Sequence, residues 1–283
     1  MQHMESTVQS IGGLQLYVQR WQADVPTRAV IAIVHGFGEH SGRYMNLVNH
    51  LVPRGHVVCG VDLRGHGRSP GSRGHIDRWE DYREDLRSFL QWISTWEPAR
   101  PRFVLGHSMG ALIVLDFVLR YPGGLAGAIV SGVPLEPVGV ASPLLVTTAR
   151  LLSRVWPGFP LSLNLETAAL SRDPEVVRAY EEDPLVHGTA SARWGTETLD
   201  TIEWIKDHTS DVRLPLLMIH GGADRINAAE GTRRFFEAVT HPDKELRVYP
   251  AAYHEPHNDQ DWQEVVSDVE RWIESHAEGA HAT

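Results

Sequence analysis

The chain has 283 residues, of which 36 are acidic and 26 are basic, so its formal net charge at pH 7 is −10. Apolar residues make up 42% and charged residues 22%, a balance typical of a globular protein and unlike that of disordered or collagen-like chains. The acidic charge argues against broad nucleic-acid binding, which usually needs a basic surface. The length suits one large α/β domain or two small ones.

The cysteine content, the first residues and the apolar runs argue against a disulfide-linked, secreted or membrane-spanning protein. Cys59 is the only cysteine, so neither an internal disulfide nor a cysteine-based metal cluster can form. The first residues lack the basic stretch and apolar core of a signal peptide. The longest uncharged runs, 121–135 and 137–149, are shorter than the ~20 residues of a membrane-spanning helix. We therefore expect a soluble, cytoplasmic protein.

Apolar runs of the β type alternate with helical patterns along most of the chain. The run 14–21 alternates apolar and polar residues and predicts an antiparallel strand. The run 29–34 is continuously apolar, as expected for a strand buried on both faces. Five more runs predict strands, at 56–62, 102–105, 126–131, 214–220 and 245–249, and helical patterns lie at 43–53, 76–97, 109–121, 229–240 and 260–276. This alternation predicts an α/β fold, with a mostly parallel central sheet and helices on both faces.

The stretch 135–206 interrupts this rhythm, because it contains no run typical of a buried strand. Helical patterns dominate there, and prolines recur at positions 137, 143, 157, 160, 174 and 184. We therefore expect a helical cap over 135–206, inserted into an α/β core formed by residues 1–134 and 207–283. A segment of this length can fold as a lid.

The sharpest local pattern is Gly106-His-Ser-Met-Gly110, between the predicted strand 102–105 and the helical pattern 109–121. A Gly-x-Ser-x-Gly sequence at a strand-to-helix turn is typical of a nucleophile elbow. Such a sharp turn leaves no room for side chains two residues before and after the serine. We expect Ser108 to project its hydroxyl at the N-terminus of the helix, where free N–H groups and the helix dipole favour developing negative charge.

A serine hydroxyl needs a base, and the base needs a carboxylate to orient it. In an elbow fold the acid and then the histidine come later in the chain, each after a strand. Asp224 follows the predicted strand 214–220, and His254 follows 245–249. We therefore predict a catalytic triad of Ser108, Asp224 and His254.

Other residues compete for two of these roles. Asp200 and Asp211 could supply the carboxylate, although neither follows a convincing strand. His257 lies three residues after His254 and competes as the base.

The tetrahedral oxyanion of such a reaction also needs hydrogen-bond donors. The loop His35-Gly-Phe-Gly38 follows the run 29–34 and has the position and the glycines to present an N–H at the elbow. We predict the backbone N–H groups of Phe37 and Met109 as the two donors. Loss of one such donor typically costs about 3–4 kcal/mol of transition-state stabilisation.

The 16 histidines raise the alternative of a metal site. However, His254-Glu-Pro-His257 is not the helical His-Glu-x-x-His motif, because its histidines are three apart and Pro256 breaks a helix. Most other histidines stand singly in predicted loops or turns. We expect neither a metal nor a cofactor.

Three segments resemble the monoacylglycerol lipase and lysophospholipase group of α/β-hydrolase serine hydrolases. They read HGFGEHSGRY at 35–44, DLRGHGRS at 62–69 and GHSMG at 106–110. The elbow alone is shared by many esterases, whereas the first segment is far more specific, and the resemblance extends from about residue 11 to 276. It implies an α/β-hydrolase fold with a cap, the triad predicted above, and hydrolysis of monoacylglycerols to glycerol and a fatty acid through an acyl-enzyme.

The resemblance also implies residues that bind the substrate. Arg43 matches an arginine near the glycerol-end hydroxyls, and Tyr180 matches a cap tyrosine in the same region. A structural ion pair is an equal alternative for Arg43. His107 of the elbow is a further candidate. Phe37 stands where the family usually has a smaller or different residue, which predicts a narrower acyl channel.

Related activities remain open alternatives to monoacylglycerol hydrolysis. One is a lysophospholipase or a broad-specificity carboxylesterase, and another, from a different class, is a catalytically silent ligand-binding scaffold. For a lipid ester substrate, we expect the apolar stretch 144–161 to line an acyl tunnel, in preference to free membrane binding, with transient micelle or membrane contact through the cap. Burial of its apolar face on the sheet domain is the alternative. The sequence leaves open the oligomeric state, the acyl-chain length and the effect of Pro256.

Overall fold

The computed structural model describes residues 1–138, 143–163 and 165–277, with backbone only at 143–145. The predicted cap over 135–206 therefore falls outside the described residues at 139–142 and 164. The predicted tunnel wall over 144–161 is described except for the first two side chains.

The described strands build one large sheet and one small one. In chain order they are β1 (Gln2–Gln9), β2 (Gln15–Gln22), β3 (Ala29–Val34), β4 (His56–Val61), β5 (Arg102–His107), β6 (Gly127–Ser131), β7 (Pro160–Ser162), β8 (Thr189–Ser191), β9 (Leu216–Gly221) and β10 (Lys244–Tyr249). The large sheet has the order β1-β2-β4-β3-β5-β6-β9-β10. Strands β4, β3, β5, β6, β9 and β10 are parallel to one another. Strand β2 is antiparallel to β4, and β1 is antiparallel to β2. The predicted mostly parallel sheet is confirmed.

Helices cover both faces of this sheet. The described helices are α1 (Met45–Leu51), α2 (Glu80–Ser94), α3 (Met109–Arg120), α4 (Pro143–Val155), α5 (Pro174–Glu182), α6 (Ala192–Asp207), α7 (Ala229–Ala238) and α8 (Trp262–Ala277). Alternate residues of β3 point to opposite faces, so Val30 packs in one core with α2 and α3 and Ile31 packs in the other with α1 and α8. Continuous apolar runs are therefore the pattern that such a sheet requires.

Strand β1 was not predicted from the sequence. Its residues are mostly exposed, and it pairs with β2 along its whole length, from Gln2 opposite Gln22 to Gln9 opposite Gln15. An edge strand of this kind is held by backbone hydrogen bonds and buries little side-chain surface. The apolar pattern that identifies buried strands is therefore missing from its sequence.

The segment between β6 and β9 contains α4, β7, α5, β8 and α6, and it contacts the loops that follow the parallel strands. His187 donates its backbone N–H to Gly38 O (2.9 Å), and Ser191 does the same to Gly74 O (2.9 Å). This chain between β6 and β9, called the inserted segment below, is thus bonded to the loops that follow β3 and β4. None of the helices in the described ranges combines the length and the apolar character that crossing a membrane requires.

Candidate active site

Ser108 lies at the turn between β5 and α3, at the carboxyl edge of the sheet. Its φ is 51° and its ψ is −117°, and in the described ranges no other non-glycine residue has a positive φ. Its backbone N–H donates to Ser131 O at 2.8 Å, and its carbonyl accepts from Leu112 N at 3.2 Å. A strained backbone held by its surroundings is typical of a functional site.

The glycines of the elbow are required by close backbone packing. A Cβ atom at position 106 would overlap the carbonyl oxygen of Gly110, and one at position 110 would overlap the carbonyl oxygen of Val34. The sequence predicts that these two positions have no room for a side chain. At position 110 the reason is that the first turn of α3 packs directly against the end of β3.

Asp224 and His254 lie in the loops after β9 and β10, and their side chains are paired. Asp224 Oδ2 accepts a hydrogen bond from His254 Nδ1 at 2.8 Å, and both side chains are buried. The other carboxylate oxygen accepts the backbone N–H groups of Ile226 (2.8 Å) and Asn227 (3.0 Å). The imidazole is thus oriented with Nδ1 toward the carboxylate, which leaves Nε2 for proton transfer.

The environment of this pair shifts both pKa values in the direction that general-base catalysis needs. Burial by itself would raise the pKa of Asp224, but the charge of His254 and hydrogen bonds from His220 and His254 outweigh it and hold that pKa well below its usual range. Burial by itself would lower the pKa of His254, but the attraction of Asp224 outweighs it and raises that pKa. The pair therefore favours an ionised aspartate beside a histidine that takes up a proton readily.

His220 is a second imidazole that contacts the Asp224 carboxylate, and sequence reasoning missed it. Its Nε2 lies 3.1 Å from Asp224 Oδ2 and 3.0 Å from Asn227 O, and its Nδ1 lies 2.7 Å from Thr232 Oγ1. Because both neighbours of Nε2 are acceptors, Nε2 carries the proton and Nδ1 accepts from the Thr232 hydroxyl. The available signal was a histidine inside an apolar buried strand, where a polar group needs a partner.

The loop after β3 is held by side-chain bonds that fix its peptide planes. His35 Nδ1 lies 2.7 Å from Gly36 O, and His35 Nε2 accepts the backbone N–H of Leu63 at 2.9 Å. The Gly36 N–H donates to Glu39 Oε1 at 2.6 Å. Because a peptide is planar, holding the Gly36 carbonyl also sets the direction of the Phe37 N–H, one of the two predicted oxyanion donors.

One cavity of about 520 Å³ brings most of the predicted site residues together. Its lining includes Ser108, His254, Phe37, Met109, Arg43, Tyr180 and His107, whereas Asp224 lies behind His254. Much of the remaining wall is apolar. The inserted segment supplies Leu163, Leu165, Leu170, Leu199 and Ile202, and the loop after β9 supplies Ile226. The stretch 144–161 was predicted to form this wall, but none of its described side chains, 146–161, is part of the lining.

The polar end of this cavity is built around Arg43. Its guanidinium bonds to Glu39 Oε2 at 2.5 Å and to both oxygens of Glu255 at 2.7 and 2.9 Å, and it lies 4.7 Å from the centre of the Tyr180 ring. Arg43 thus forms the ion pair considered as an alternative and also lines the cavity. The sequence identified neither Glu39 nor Glu255 as part of this group.

The residues that competed for the triad have other partners. Asp200 pairs with Arg150, and Asp211 pairs with Arg213. His257 is buried and stacks on the Tyr44 ring, with centroids 5.0 Å apart.

Phe37 and Pro256 occupy defined places beside the site. The Phe37 ring packs against Trp194 with centroids 4.3 Å apart, and both residues line the cavity. Pro256 opens a short 3₁₀ helix, Pro256–Asn258, directly after the His254 loop. Proline suits the first position of such a turn, where its missing N–H removes no bond.

Comparisons with known proteins agree over most of the chain. A family model described as serine aminopeptidase, S33, matches residues 25–261. A monoacylglycerol lipase of Mycolicibacterium smegmatis is 37% identical over 273 residues, covering 96% of this chain and 97% of that protein. The phospholipase YtpA of Bacillus subtilis is 31% identical over 248 residues, covering 87% of this chain and 94% of that protein. The crystal structure of Paleococcus ferrophilus monoacylglycerol lipase matches with a TM-score of 0.85 and 34% identity, covering 92% of this chain and 99% of that one.

Proposed function

Because the chain belongs to the serine aminopeptidase S33 family of hydrolases, we propose that it hydrolyses monoacylglycerols to glycerol and a fatty acid. The α/β-hydrolase fold and the lipase resemblance predicted from the sequence are confirmed by the similarity to monoacylglycerol lipases in sequence and structure. The observation that carries the proposal is the strained Ser108, which opens with His254 onto one largely apolar cavity.

The proposed reaction uses the groups that line this cavity. His254 takes the Ser108 hydroxyl proton while the serine oxygen bonds to the ester carbonyl carbon, and the Phe37 and Met109 N–H groups hold the resulting oxyanion. His254 then gives that proton to the glycerol oxygen as the ester bond breaks, which leaves the acyl group on Ser108. Water loses a proton to His254 as its oxygen bonds to the acyl carbon. His254 then returns this proton to the Ser108 oxygen as the acyl–serine bond breaks, which releases the fatty acid and restores the enzyme. Asp224 stabilises the imidazolium of His254 during both acylation and deacylation.

The cavity favours a fatty ester over an N-terminal peptide. An aminopeptidase needs a free carboxylate to bind the substrate's ammonium group, and Glu39 and Glu255 are the acidic residues of the lining. Both are buried and bonded to Arg43, so neither is free to bind an ammonium group. The apolar walls, in contrast, suit an acyl chain.

The glycerol end of the substrate would lie at the polar end of the cavity. The hydroxyls of glycerol can donate to carboxylate oxygens of Glu39 or Glu255, and Arg43 holds both carboxylates in place. We keep Tyr180 and His107 as candidate contacts, because both line the cavity. Their positions support a role in binding rather than in bond breaking.

Lysophospholipid hydrolysis is the second candidate, favoured by the 31% identity to the phospholipase YtpA. The polar end argues against it, because Arg43 offsets only one of the two carboxylate charges and a phosphate group there would meet a net negative charge. A broad-specificity carboxylesterase and a silent ligand-binding scaffold are the remaining alternatives. Strain retained at Ser108 supports an active enzyme over a scaffold.

We also propose that residues 135–206 act as a cap that meets the lipid surface. Leu151, Val155 and Trp156, at the end of α4, have relative exposures of 63%, 77% and 59%. Apolar side chains exposed side by side suit a micelle or membrane surface. A cytoplasmic location is part of the same proposal, and the buried free thiol of Cys59 is compatible with it.

A substrate panel tests the proposed activity. We expect purified protein to hydrolyse 1- and 2-monoacylglycerols faster than lysophosphatidylcholine and p-nitrophenyl esters of equal chain length. The Ser108→Ala variant should lose activity and should resist labelling by a fluorophosphonate. Faster turnover of the lysophospholipid would favour the second candidate, and an unlabelled folded wild-type protein would contradict the serine mechanism.

A further inference from the structure

A second group of side chains lies at the edge of the sheet opposite the candidate active site. His56 is the first residue of β4, so it lies at the amino edge of the parallel strands, whereas Ser108 and the loops with Asp224 and His254 lie at the carboxyl edge. Glu270 and Glu274 lie in the second half of α8. One ligand atom from each of these three residues lies within 4.8 Å of the other two.

His56 is the unusual member of this group. It is 1% exposed, and neither of its ring nitrogens has a hydrogen-bond partner within the described part of the chain. Burying a polar group without a partner is costly, and native proteins rarely do it. His56 also lines a cavity of about 320 Å³ together with Glu274. The ring is therefore buried beside free volume and beside two carboxylates.

The two glutamates are placed where a cation would relieve a repulsion. Glu270 and Glu274 are four residues apart on α8, so they share one face of the helix, and like charges at this spacing are destabilising. His50 Nε2 lies 2.8 Å from Glu270 Oε2, which orients that carboxylate. Support of a ligand by a second hydrogen-bonding residue is typical of metal sites.

The positively charged neighbours of the two glutamates are replaceable. Arg28 pairs with Glu274, and Arg54 pairs with Glu270 at 3.2 Å, but the two arginine side chains are 49% and 47% exposed. Exposed ion pairs of this kind contribute little to stability. Both arginines can turn into solvent when a more strongly bound cation takes the carboxylates.

We propose that His56, Glu270 and Glu274 bind a divalent first-row transition-metal ion such as Zn²⁺. An imidazole nitrogen with two carboxylate oxygens suits these ions, whereas Mg²⁺ and Ca²⁺ prefer oxygen ligands alone. Ligand atoms around tetrahedral zinc lie about 3.4 Å apart, given bonds of roughly 2.0–2.2 Å. Binding would therefore require the two glutamate side chains to rotate toward His56, and water would complete the coordination. The ion would join α8 to the start of β4.

Zinc binding to the whole protein tests this proposal without relying on activity. After treatment with EDTA, the wild type is titrated with ZnCl₂ by calorimetry and by thermal unfolding. We expect saturable binding and a rise in Tm. Glu274→Gln removes a partly exposed ligand and should weaken the affinity by about tenfold or more. Glu264→Gln removes the same charge from an exposed position on the same helix and should leave the affinity unchanged.

Two further variants should change zinc binding in opposite directions. His56→Leu should abolish the zinc-dependent rise in Tm and the imidazole contribution to the Co²⁺ absorption spectrum. Arg28→Gln should tighten binding, because it frees Glu274 from its ion pair. The proposal is wrong if the wild type shows no zinc-dependent change, or if Glu274→Gln binds zinc as tightly as the wild type does.

Discussion

Asp224 and His220 meet through the same carboxylate oxygen that receives His254. Asp224 Oδ2 lies 3.1 Å from His220 Nε2 and 2.8 Å from His254 Nδ1. Two imidazoles therefore meet at one carboxylate oxygen, and of the two only His254 lines the cavity, whereas His220 lies in β9.

The first prediction concerns His220 as a residue that positions Asp224. We expect His220→Ala to lower kcat by about tenfold. A buried carboxylate that loses a hydrogen-bond donor typically loses about 1–3 kcal/mol of stabilisation. KM should change little, because His220 does not line the cavity. Steady-state kinetics on a monoacylglycerol separate the two effects.

Conservative variants distinguish this role from general packing. His220→Gln keeps a donor near Asp224 and should recover part of kcat, and its pH profile should return toward that of the wild type. Equal kcat values for the alanine and glutamine variants at equal stability would contradict the positioning role.

The second prediction concerns pH. Since Asp224 raises the pKa of His254 above its ordinary value of about 6.5, kcat/KM should rise with pH through a midpoint above that value. Asp224→Asn removes the attraction, so the midpoint should shift to lower pH while kcat falls about 10⁴-fold, as is typical for loss of the triad carboxylate. A pH–rate profile measured for both proteins checks this. An unchanged midpoint in the variant would exclude Asp224 as the cause.

The third prediction concerns the elbow glycine at position 110. We expect Gly110→Ala to lower the free energy of unfolding by about 1–3 kcal/mol or more, because its Cβ would overlap the carbonyl oxygen of Val34. Urea denaturation measures the change. Gly123→Ala is the matched control, since a Cβ there meets no atom within 4 Å, and it should leave stability within about 0.5 kcal/mol of the wild type.

The fourth prediction concerns the pairing of Arg43 with two buried carboxylates. Arg43→Met leaves Glu39 and Glu255 buried without a counter-charge, which typically costs about 3–5 kcal/mol. Urea denaturation should show this loss. Arg225→Met, which removes an exposed ion pair with Glu166, is the control and should cost at most about 1 kcal/mol.

The same ion pair predicts how stability depends on pH. Burial by itself would raise the pKa of Glu255, but Arg43 outweighs it and holds that pKa at about 2. A carboxyl whose folded pKa is depressed stabilises the fold above its unfolded pKa, and this contribution is lost as the pH falls through the folded value. The wild type should therefore lose stability between about pH 5 and pH 2, and Arg43→Met should lose less over the same range. If the wild type and Arg43→Met lose the same free energy of unfolding over this range, Arg43 is not the cause of the low pKa of Glu255.

The fifth prediction concerns the acyl-chain preference. Phe37 contributes its backbone N–H to the proposed oxyanion hole, and its ring packs on Trp194 where both residues line the cavity. Phe37→Ala keeps the N–H and removes the ring, so the optimum of kcat/KM should move to longer or bulkier acyl groups. Rates on a series of 1-monoacylglycerols measure the shift. An unchanged optimum would mean that the ring does not limit the channel.

Local features of the site could be predicted from the sequence, because their causes are local. The elbow needs a strand, two glycines and a helix within a few residues, and the chain order of Asp224 and His254 follows from the order of the strands. Buried parallel strands also leave a continuous apolar pattern, such as that of β3.

Features that depend on distant contacts could not be predicted. Arg43 and Glu255 are 212 residues apart in the sequence, and nothing near either residue indicates the other. Strand β1 has a polar sequence because the side chains of this exposed edge strand are not required to pack in the core. His220 was hidden because the strand pattern around it is otherwise that of an ordinary buried strand.

The inserted segment holds the backbone of the loop that carries the proposed base. His254 donates its N–H to Ala169 O at 3.2 Å, and Glu255 donates to Leu170 O at 2.9 Å. A displacement of this part of the segment that breaks these bonds would also release the imidazole and the carboxylate that pairs with Arg43. The backbone position of the proposed base therefore depends on contacts with the inserted segment as well as on its pairing with Asp224.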